Sequence, residues 1–243
     1  MQLIEQAGFI ADLHLCQQRP QSLQRFYRLL ADFNLPHLFI LGDLFEFWVG
    51  DDAPPEGMAA VIQALAQASE RGIHIAICHG NRDFLLGTQF ARTSGCQLLE
   101  EATEIQLGDR PTLLLHGDTL CSDDHDYQQL RQQLRDPKWI AQFLAQSVSS
   151  RLEQGERLRA ASYAAFLAKN SVMDEVNAAT VSDIMTRYQV TTLIHGHTHR
   201  QQHHQLTLAN QQSADRYVLG DWHEAGATLL RFEQSQLHYQ SLP

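Results

Sequence analysis

Five short polar clusters hold the side chains of this chain that could bind metal ions. They are the pairs Asp12/His14 and Gly42/Asp43, followed by the runs 80–83, 116–118 and 195–199. The carboxylates, imidazoles and single amide in these clusters suit borderline-hard divalent ions such as manganese. The candidate ligands are Asp12, His14, Asp43, Asn81, His116, His195 and His197. Because seven ligands exceed the needs of one ion, the set predicts two ions that share Asp43 and clamp a phosphoryl group.

Short apolar runs precede these clusters and must position them. Runs at 9–11, 37–41, 73–78, 112–115 and 190–194 are typical of buried strands, and helical spacing at 22–33 and 58–71 separates the first three. This alternation predicts an α/β layered fold. Ligands of an open α/β sheet bind beyond the carboxyl ends of its strands, so we expect all five clusters at one edge. Period-two segments in the C-terminal third predict antiparallel hairpins that close a second sheet.

The segment 126–172 differs from the rest of the chain in pattern and in charge. It lacks strand signals and shows helical spacing of apolar residues. It carries seven basic and four acidic residues, although the whole chain has a formal net charge of −10. A basic helical segment with aromatic side chains is typical of a surface that meets an anionic amphiphile. An ordinary helical hairpin with arginines on its solvated face would show the same pattern.

Length and composition exclude several classes of protein. A chain of 243 residues with 44% hydrophobic residues can form a packed core, so a disordered or fibrous protein is excluded. The acidic balance predicts that nucleic acid is not a partner, since phosphate affinity needs a basic surface. Four scattered cysteines, no apparent signal peptide and no bilayer-length apolar stretch predict a cytoplasmic protein. We also expect a monomer.

The order of the motifs D-x-H, G-D, G-N, H-G-D and G-H-x-H resembles that of the calcineurin-like metallophosphoesterase family. The resemblance implies an α/β/β/α sandwich of two stacked mixed sheets, in a single domain over residues 1–243. It further implies that the helical segment 126–172 is a lid inserted into that domain. The catalytic residues it implies are Asp43, Asn81, Arg82 and His116.

Longer strings, among them FIADLHLC, LGDLFEFWVGDD, HGNRDFLLG and LIHGHTHR, resemble the branch of this family that acts on UDP-2,3-diacylglucosamine. The resemblance extends from about residue 9 to residue 223. It implies hydrolysis of the diphosphate by attack on the α-phosphorus, giving UMP and 2,3-diacylglucosamine 1-phosphate (lipid X) in lipid A biosynthesis. A lipid substrate also implies peripheral contact with the cytoplasmic face of the inner membrane.

The same resemblance assigns site residues to two manganese ions and to the substrate. The first ion would be held by Asp12, His14, Asp43 and His197, and the second by Asp43, Asn81, His116 and His195. Substrate contacts carry over to Asn81, Arg82, Asp124, Tyr127, Arg159, Ser162, Lys169 and His195. Phe166 stands where relatives often have Asn, so we expect it only to line the site.

Arg82 indicates which kind of phosphate bond is cleaved. Many metallophosphoesterases place a histidine after the motif asparagine, where it can protonate an alkoxide leaving group. An arginine at that position cannot give up a proton at any usable pH. The enzyme therefore needs a leaving group that is already stable as an anion, and Arg82 can neutralise charge on the phosphoryl oxygens. We predict cleavage of a pyrophosphate rather than of an alkyl monoester.

Other activities on the same scaffold remain open at this point. A pyrophosphatase of soluble nucleoside-diphosphate sugars fits the chemistry, but the apolar helical segment argues against it. A nuclease or cyclic-nucleotide phosphodiesterase is disfavoured by the acidic balance and by Arg82. A non-catalytic scaffold of this fold should have lost ligands, whereas this chain keeps all seven.

Overall fold

Two six-stranded mixed sheets form the centre of the fold. The computed structural model describes residues 3–168, 176–224 and 226–242, with the side chains of 161–168 left out. The strands in chain order are β1 (Leu3–Ile4), β2 (Ala7–Ile10), β3 (His37–Leu41), β4 (His74–Cys78), β5 (Gln97–Leu98), β6 (Ala102–Leu107), β7 (Arg110–Leu115), β8 (Thr192–His195), β9 (Gln202–Thr207), β10 (Ser213–Val218), β11 (Ala227–Glu233) and β12 (Gln236–Leu242). One sheet has the order β12-β11-β2-β3-β4-β5, and the other has the order β1-β6-β7-β8-β10-β9.

Some of the helices cover the outer faces of the two sheets, and others form the segment that follows β7. The helices are α1 (Pro20–Asp32), α2 (Ala59–Glu70), α3 (Thr88–Ser94), α4 (His125–Leu134), α5 (Pro137–Leu144), α6 (Val148–Ala168) and α7 (Ala178–Arg187), with a short 3₁₀ turn at Asp118–Leu120. The helices predicted at 22–33 and 58–71 are confirmed as α1 and α2. Helix α1 begins two residues earlier than its apolar spacing suggests, because Pro20 occupies the first helical turn, where no intrahelical N–H bond is lost.

Alternate residues of β2 and β3 pack on opposite sides of the first sheet. Ile10 and Ile40 belong to the core under the helices α1 and α2, whereas Phe9 and Phe39 belong to the core between the two sheets. The phenyl rings of Phe9 and Phe39 stack with centroids 5.1 Å apart. Strands buried on both faces appear in a sequence as continuous apolar runs, which is why these segments were readable as buried strands.

The predicted α/β/β/α sandwich follows from three separate apolar cores. Leu114 and Ile194 of the second sheet pack against the first sheet in the shared central core. On the outer face of the second sheet, Leu113 and Leu193 pack with Val181 of α7. The layers are therefore helix, sheet, sheet and helix, and the predicted fold class is confirmed.

The C-terminal hairpins differ from the prediction in where they pair. The hairpin of β9 and β10 extends the second sheet, but the hairpin of β11 and β12 joins the first sheet through β11 and β2. Leu229 and Leu230 of β11 face the two different cores of the first sheet. A strand buried on both faces needs neighbours on both edges, so β11 lies beside β2 rather than in the second sheet.

The polar clusters lie at the edge of two sheets rather than of one. Strands β2, β3 and β4 are parallel members of the first sheet, and β7 and β8 are parallel members of the second. The single-edge prediction was therefore wrong in its sheet count. Because the two sheets pack face to face, the carboxyl ends of all five strands still converge on one rim.

Three helices, α4 to α6, lie between His125 and Ala168. The helical character predicted for 126–172 is confirmed up to residue 168, and residues 169–172 lie outside the described residues. Asp124 and Asp136 cap the amino ends of α4 and α5 by accepting hydrogen bonds from backbone N–H groups. Among the described residues, no helix is both long enough and apolar enough to cross a membrane.

Candidate metal centre

The candidate ligands follow their strands in a backbone conformation that most residues avoid. Asp12, His14, Asp43, His197 and His199 all have positive φ angles, between 49° and 69°. For residues other than glycine this left-handed region is sparsely populated, and it persists only where the surroundings stabilise it. These turns aim carboxylates and imidazoles at the common rim instead of along the sheet.

Three glycines give the ligands room to approach one another. A Cβ atom at Gly80 would overlap the Asp43 carboxylate, and one at Gly196 would overlap the carboxylate of Asp12. At Gly42, whose φ is +85°, a Cβ would lie 2.5 Å from His116 Nδ1. Any side chain at these positions would displace a candidate ligand, so close backbone approach is built into the site.

Asp43 lies at the middle of the cluster. Its Oδ2 atom is 3.9 Å from His14 Nδ1 on one side and 3.9 Å from His116 Nε2 on the other. Its Oδ1 atom accepts a hydrogen bond from the backbone N–H of Arg82 at 2.8 Å. This equidistant placement suits a carboxylate shared between two ions.

The ligand atoms form two overlapping groups, each within 4.8 Å of one another. One group is Asp12, His14 and His199, and the other is Asp12, Asp43 and His116. Asp12 Oδ1 and His14 Nδ1 are buried and make no hydrogen bond within the described residues. Buried polar atoms without partners are costly unless something binds them, so these residues fit a divalent cation.

Asn81 and His116 form the second side of the cluster. Asn81 Oδ1 lies 2.9 Å from His116 Nε2 and 3.0 Å from His197 Nδ1. His116 Nδ1 donates to the carbonyl of Leu41 at 2.9 Å, which orients the ring so that Nε2 faces the centre.

Burial sets the protonation of three of the candidate imidazoles, whereas at His116 the carboxylates of Asp43, Asp12 and Asp118 outweigh burial and raise the pKa to about 9. Burial lowers the pKa of His14 and of His195 to about 3 and that of His197 to about 4. At neutral pH these rings are uncharged and keep the lone pair that binds a metal ion.

The buried carboxylates have opposite pKa shifts. Burial would raise the pKa of Asp12, but the adjacent His199, together with His116 and His14, outweighs burial and holds that pKa at about 2. Burial raises the pKa of Asp43 to about 7, against the opposing charge of His116. A divalent cation bound beside these carboxylates would favour the ionised form that burial disfavours.

The sequence profile of the family described as calcineurin-like phosphoesterase matches residues 7–201, which is most of the chain. The chain belongs to the calcineurin-like phosphoesterase family. It is similar to the UDP-2,3-diacylglucosamine hydrolase of Cellvibrio japonicus, at 44% identity over 220 residues, which cover 90% of this chain and 91% of the relative. The protein of the same name from Escherichia coli O6:H1 (strain CFT073) is 46% identical over 224 residues, covering 90% and 92% of the two chains.

The family implies divalent metal ions for this phosphoesterase. Six of the seven predicted ligands lie together at the rim: Asp12, His14, Asp43, Asn81, His116 and His197. His199, which was not among the predicted ligands, lies with its Nε2 3.4 Å from that of His14. Its position two residues after His197 in the G-H-x-H motif was the signal for it.

His195 is held differently from the other candidate ligands. Its Nδ1 donates to the carbonyl of Gly196 at 2.8 Å, and its Nε2 accepts from the guanidinium of Arg216 at 3.1 Å. Both ring nitrogens therefore already have protein partners, and the structure does not bring them into either ligand group. His195 remains a predicted ligand for the phosphoesterase.

Two buried carboxylates hold the ligand loops in place through hydrogen bonds. Asp83 accepts from the backbone N–H groups of Gly80 at 2.9 Å, Phe45 at 3.2 Å and Asp43 at 3.3 Å, and so joins the loops after β3 and β4. Asp118 accepts from the Tyr127 hydroxyl at 3.0 Å and from Arg131 Nε at 2.6 Å, and so ties α4 to the loop after β7.

Glu46 connects the centre with two arginines, and the sequence analysis missed it. Its Oε1 accepts from Arg82 at 3.0 Å and from Arg159 of α6 at 2.8 Å. Its Oε2 lies 3.5 Å from His14 Nδ1. The only signal was an acidic residue in the otherwise apolar string that follows Asp43.

The predicted substrate contacts between Asp124 and Lys169 belong to the helical segment or directly precede it. Tyr127 stacks beside His197 with ring centroids 6.1 Å apart, and Asp124 caps α4 next to it. Ser162 and Phe166 lie on α6 at positions whose side chains are not described, and Lys169 lies outside the described residues. These substrate contacts stay predictions.

Proposed function

We propose that this phosphoesterase hydrolyses the diphosphate of UDP-2,3-diacylglucosamine in lipid A biosynthesis. Attack on the α-phosphorus gives UMP and 2,3-diacylglucosamine 1-phosphate (lipid X). The observation that carries this proposal is the 44–46% identity, over nine-tenths of the chain, to proteins named for that hydrolysis. The ligand groups at the rim add support, because a relative without catalytic function would not need to keep them.

Two manganese ions are the cofactor of this proposal. Asp12, His14, Asp43, Asn81, His116 and His197 would hold them, with His195 and His199 as further ligands. When bound, such ions supply a hydroxide nucleophile at neutral pH and neutralise charge on the phosphoryl oxygens. The mixed oxygen and nitrogen donor set, which has no thiolate, supports manganese over a softer ion.

Arg82 and Arg159 bind and orient the diphosphate in this proposal. Both guanidinium groups contact Glu46, which lies beside His14. They are therefore next to the metal centre, where they can contact the phosphate oxygens that extend from it. A guanidinium group is not a general acid, so Arg82 does not donate a proton to the leaving group. The leaving group is a sugar phosphate, which departs as an anion, so catalysis does not require a general acid there.

The helical segment 126–172 serves as a lid over this site within one domain of residues 1–243. Its α6 is tied to the core by Arg151, which donates to the Val49 carbonyl at 2.7 Å and pairs with both carboxylate oxygens of Asp52. Gly155 of α6 packs so closely on Phe47 that a Cβ atom there would overlap the ring. The lid therefore lies directly on the loop that carries Glu46.

The lid also offers a surface for the lipid. Among the described residues, the exposed large hydrophobic side chains are Leu144, Val148 and Leu152, all on the lid, and Leu3 at the start of the chain. Exposed apolar side chains on a basic helical segment suit peripheral contact with the inner membrane, where the lipid substrate resides.

An isotope experiment tests the proposed reaction. The manganese-loaded protein is incubated with UDP-2,3-diacylglucosamine in water enriched in oxygen-18, and the products are analysed by mass spectrometry. We expect one label in UMP and none in the sugar phosphate. Label in the sugar phosphate would contradict attack on the α-phosphorus. Turnover of UDP-N-acetylglucosamine at an equal rate would contradict a lipid substrate.

A further inference from the structure

A cavity of about 650 Å³ borders the metal centre on the side of His14 and His199. Two of the carboxylates in its wall reach these histidines. Glu46 Oε2 is 3.5 Å from His14 Nδ1, and Asp221 Oδ2 is 3.7 Å from His199 Nδ1. The remaining walls come from the loop after β2, the first turn of α1 and the segment 221–224, with Arg159 of the lid at one side. Its volume lies within the range of small-molecule sites, about 300–1,000 Å³.

The lining excludes two parts of the proposed substrate. Arg159 and Glu46 in the wall pair with each other, and among the other charged lining residues Asp221 and Glu224 outnumber Arg19, so the part of the cavity away from Arg159 disfavours a phosphate. An acyl chain in that part would bury the Asp221 and Glu224 carboxylates without giving them a partner.

The same lining suits a flat, uncharged group that makes hydrogen bonds. Phe47 and Pro55 offer apolar contact for a ring, while Gln18, Gln21 and Ser22 offer amide and hydroxyl groups for its polar edge. Carboxylates are the side chains that commonly accept hydrogen bonds from ribose hydroxyls in nucleotide sites. A nucleoside combines a flat polar ring with such hydroxyls.

We propose that this cavity binds the nucleoside of the substrate, with the base near Phe47 and the ribose near Asp221. The proposal rests on the proposed function, which places the α-phosphate at the metal centre. One ester bond joins that phosphate to the ribose, so the nucleoside must lie in a space that borders the centre.

Binding of small nucleotides to the manganese-loaded protein tests this subsite. Isothermal titration calorimetry compares UMP, ribose 5-phosphate and inorganic phosphate. We expect UMP to bind at least about tenfold more tightly than phosphate, with ribose 5-phosphate between them. Gln21→Trp and Gln18→Trp each place a bulky ring in the wall, and both should reduce the ratio of UMP affinity to phosphate affinity to near one.

Gln24→Trp is the matched control, because Gln24 is an exposed residue of α1 outside the cavity wall. It should keep the ratio of the unaltered protein. All three variants should keep their affinity for inorganic phosphate, which reports an intact metal centre independently of activity.

Two outcomes would overturn the subsite. One is equal affinity for UMP and phosphate in the unaltered protein, and the other is an unchanged ratio in both blocking variants. Either result leaves the proposed hydrolysis standing if UDP-2,3-diacylglucosamine is still cleaved. If the lipid substrate is not cleaved, but UMP binds selectively and the blocking variants weaken its binding, the result would remove the proposed function. The nucleoside site would then still stand.

Discussion

At the scale of single residues, Asp43 has the most demanding position in the centre. It is buried, it adopts a positive φ, and its carboxylate lies equally far from the imidazoles of His14 and His116. Its neighbour Gly80 leaves space for it, and Asp83 fixes its backbone N–H. Any other residue type at this position would lose at least one of these contacts or would not fit the backbone conformation.

Asp43→Asn should abolish most of the metal binding and hydrolysis. The amide keeps the shape and the hydrogen bond from Arg82, but it removes the charge that two ions would share. Because changes behind the ligands already cost 10–100-fold, we expect this change to cost more than about 100-fold in hydrolysis. Metal content after dialysis and the rate of UMP release are the measurements. Asp109→Asn, in an exposed turn, is the control, and full activity in Asp43→Asn would contradict the shared-ligand assignment.

Asp83→Asn should weaken the centre without touching a ligand atom. Asp83 accepts three backbone hydrogen bonds, and an amide cannot accept all of them with one oxygen. We expect metal affinity to fall by about 10–100-fold, measured by titration of the metal-free protein with manganese. Asp51→Asn is a matched control, since Asp51 also accepts backbone bonds but caps α3 instead of the ligand loops. Equal losses of affinity in the two variants would show that general destabilisation, not positioning, is responsible.

At the scale of elements, a buried arginine anchors α6 of the proposed lid to the core. Arg151 of α6 is 1% exposed, and its guanidinium pairs with Asp52 of the loop after β3. Further polar contacts join these helices to the core, such as Arg159 of α6 with Glu46, and Trp139 packs against Phe84. The Arg151–Asp52 pair is therefore one of the polar contacts that fix α6 on the core.

Asp52→Asn should loosen α6 in a pH-dependent way. The hydrogen bonds from Arg151 lower the pKa of Asp52 below its usual 3.8. Its stabilising effect is therefore present above pH 3.8 and is lost as the pH falls through the lowered pKa. Hydrogen exchange of α6 should be faster in the variant at pH 7, and the difference should vanish in strong acid. Glu153→Gln removes an exposed pair on the same helix and should change little; an equal effect there would contradict the anchoring role.

At the scale of the whole molecule, the packing of the two sheets decides whether the centre exists. Asp12, Asp43 and Asn81 follow strands of the first sheet, whereas His116 and His197 follow strands of the second. The central core that joins the sheets thus determines the distances within the metal centre.

Phe9→Ala should test the joint between the sheets. Phe9 is fully buried and stacks on Phe39, so its loss leaves a cavity between the sheets. We expect a decrease of about 3–5 kcal/mol in the free energy of unfolding, measured with denaturant on the metal-free protein. Leu3→Ala, at a residue that is 56% exposed, should cost less than about 0.5 kcal/mol. A cost near zero for Phe9→Ala would mean that the sheets are held together elsewhere.

Membrane contact is the second prediction for the whole molecule. The double variant Leu144→Ser/Leu152→Ser removes two exposed apolar side chains from the lid. We expect its binding to vesicles of anionic phospholipid to fall several-fold at low salt, because both apolar burial and charge contribute to such contact. Sedimentation of vesicles with bound protein measures this. Leu3→Ser is the control, and equal binding by all forms would contradict contact through the lid.

Local sequence patterns predicted most of the longer strands, the helices α1 and α2 and most of the ligand types, but not β6, α3 or α7. Apolar runs of strand length and the polar motifs after them are local patterns, so β3, α2 and the residues of the rim were readable in advance. The family resemblance then supplied a reaction that composition and spacing alone left open.

The sheet that each strand joins and the atoms that meet at the rim depend on three-dimensional packing. The pairing of β11 with β2, the contact of Glu46 with Arg159 and the two protein partners of His195 all join residues far apart in the chain or depend on ring orientation. Such contacts follow from the packing of two sheets and a lid against one another. Local periodicity carries no information about that packing, because many arrangements bury the same apolar faces.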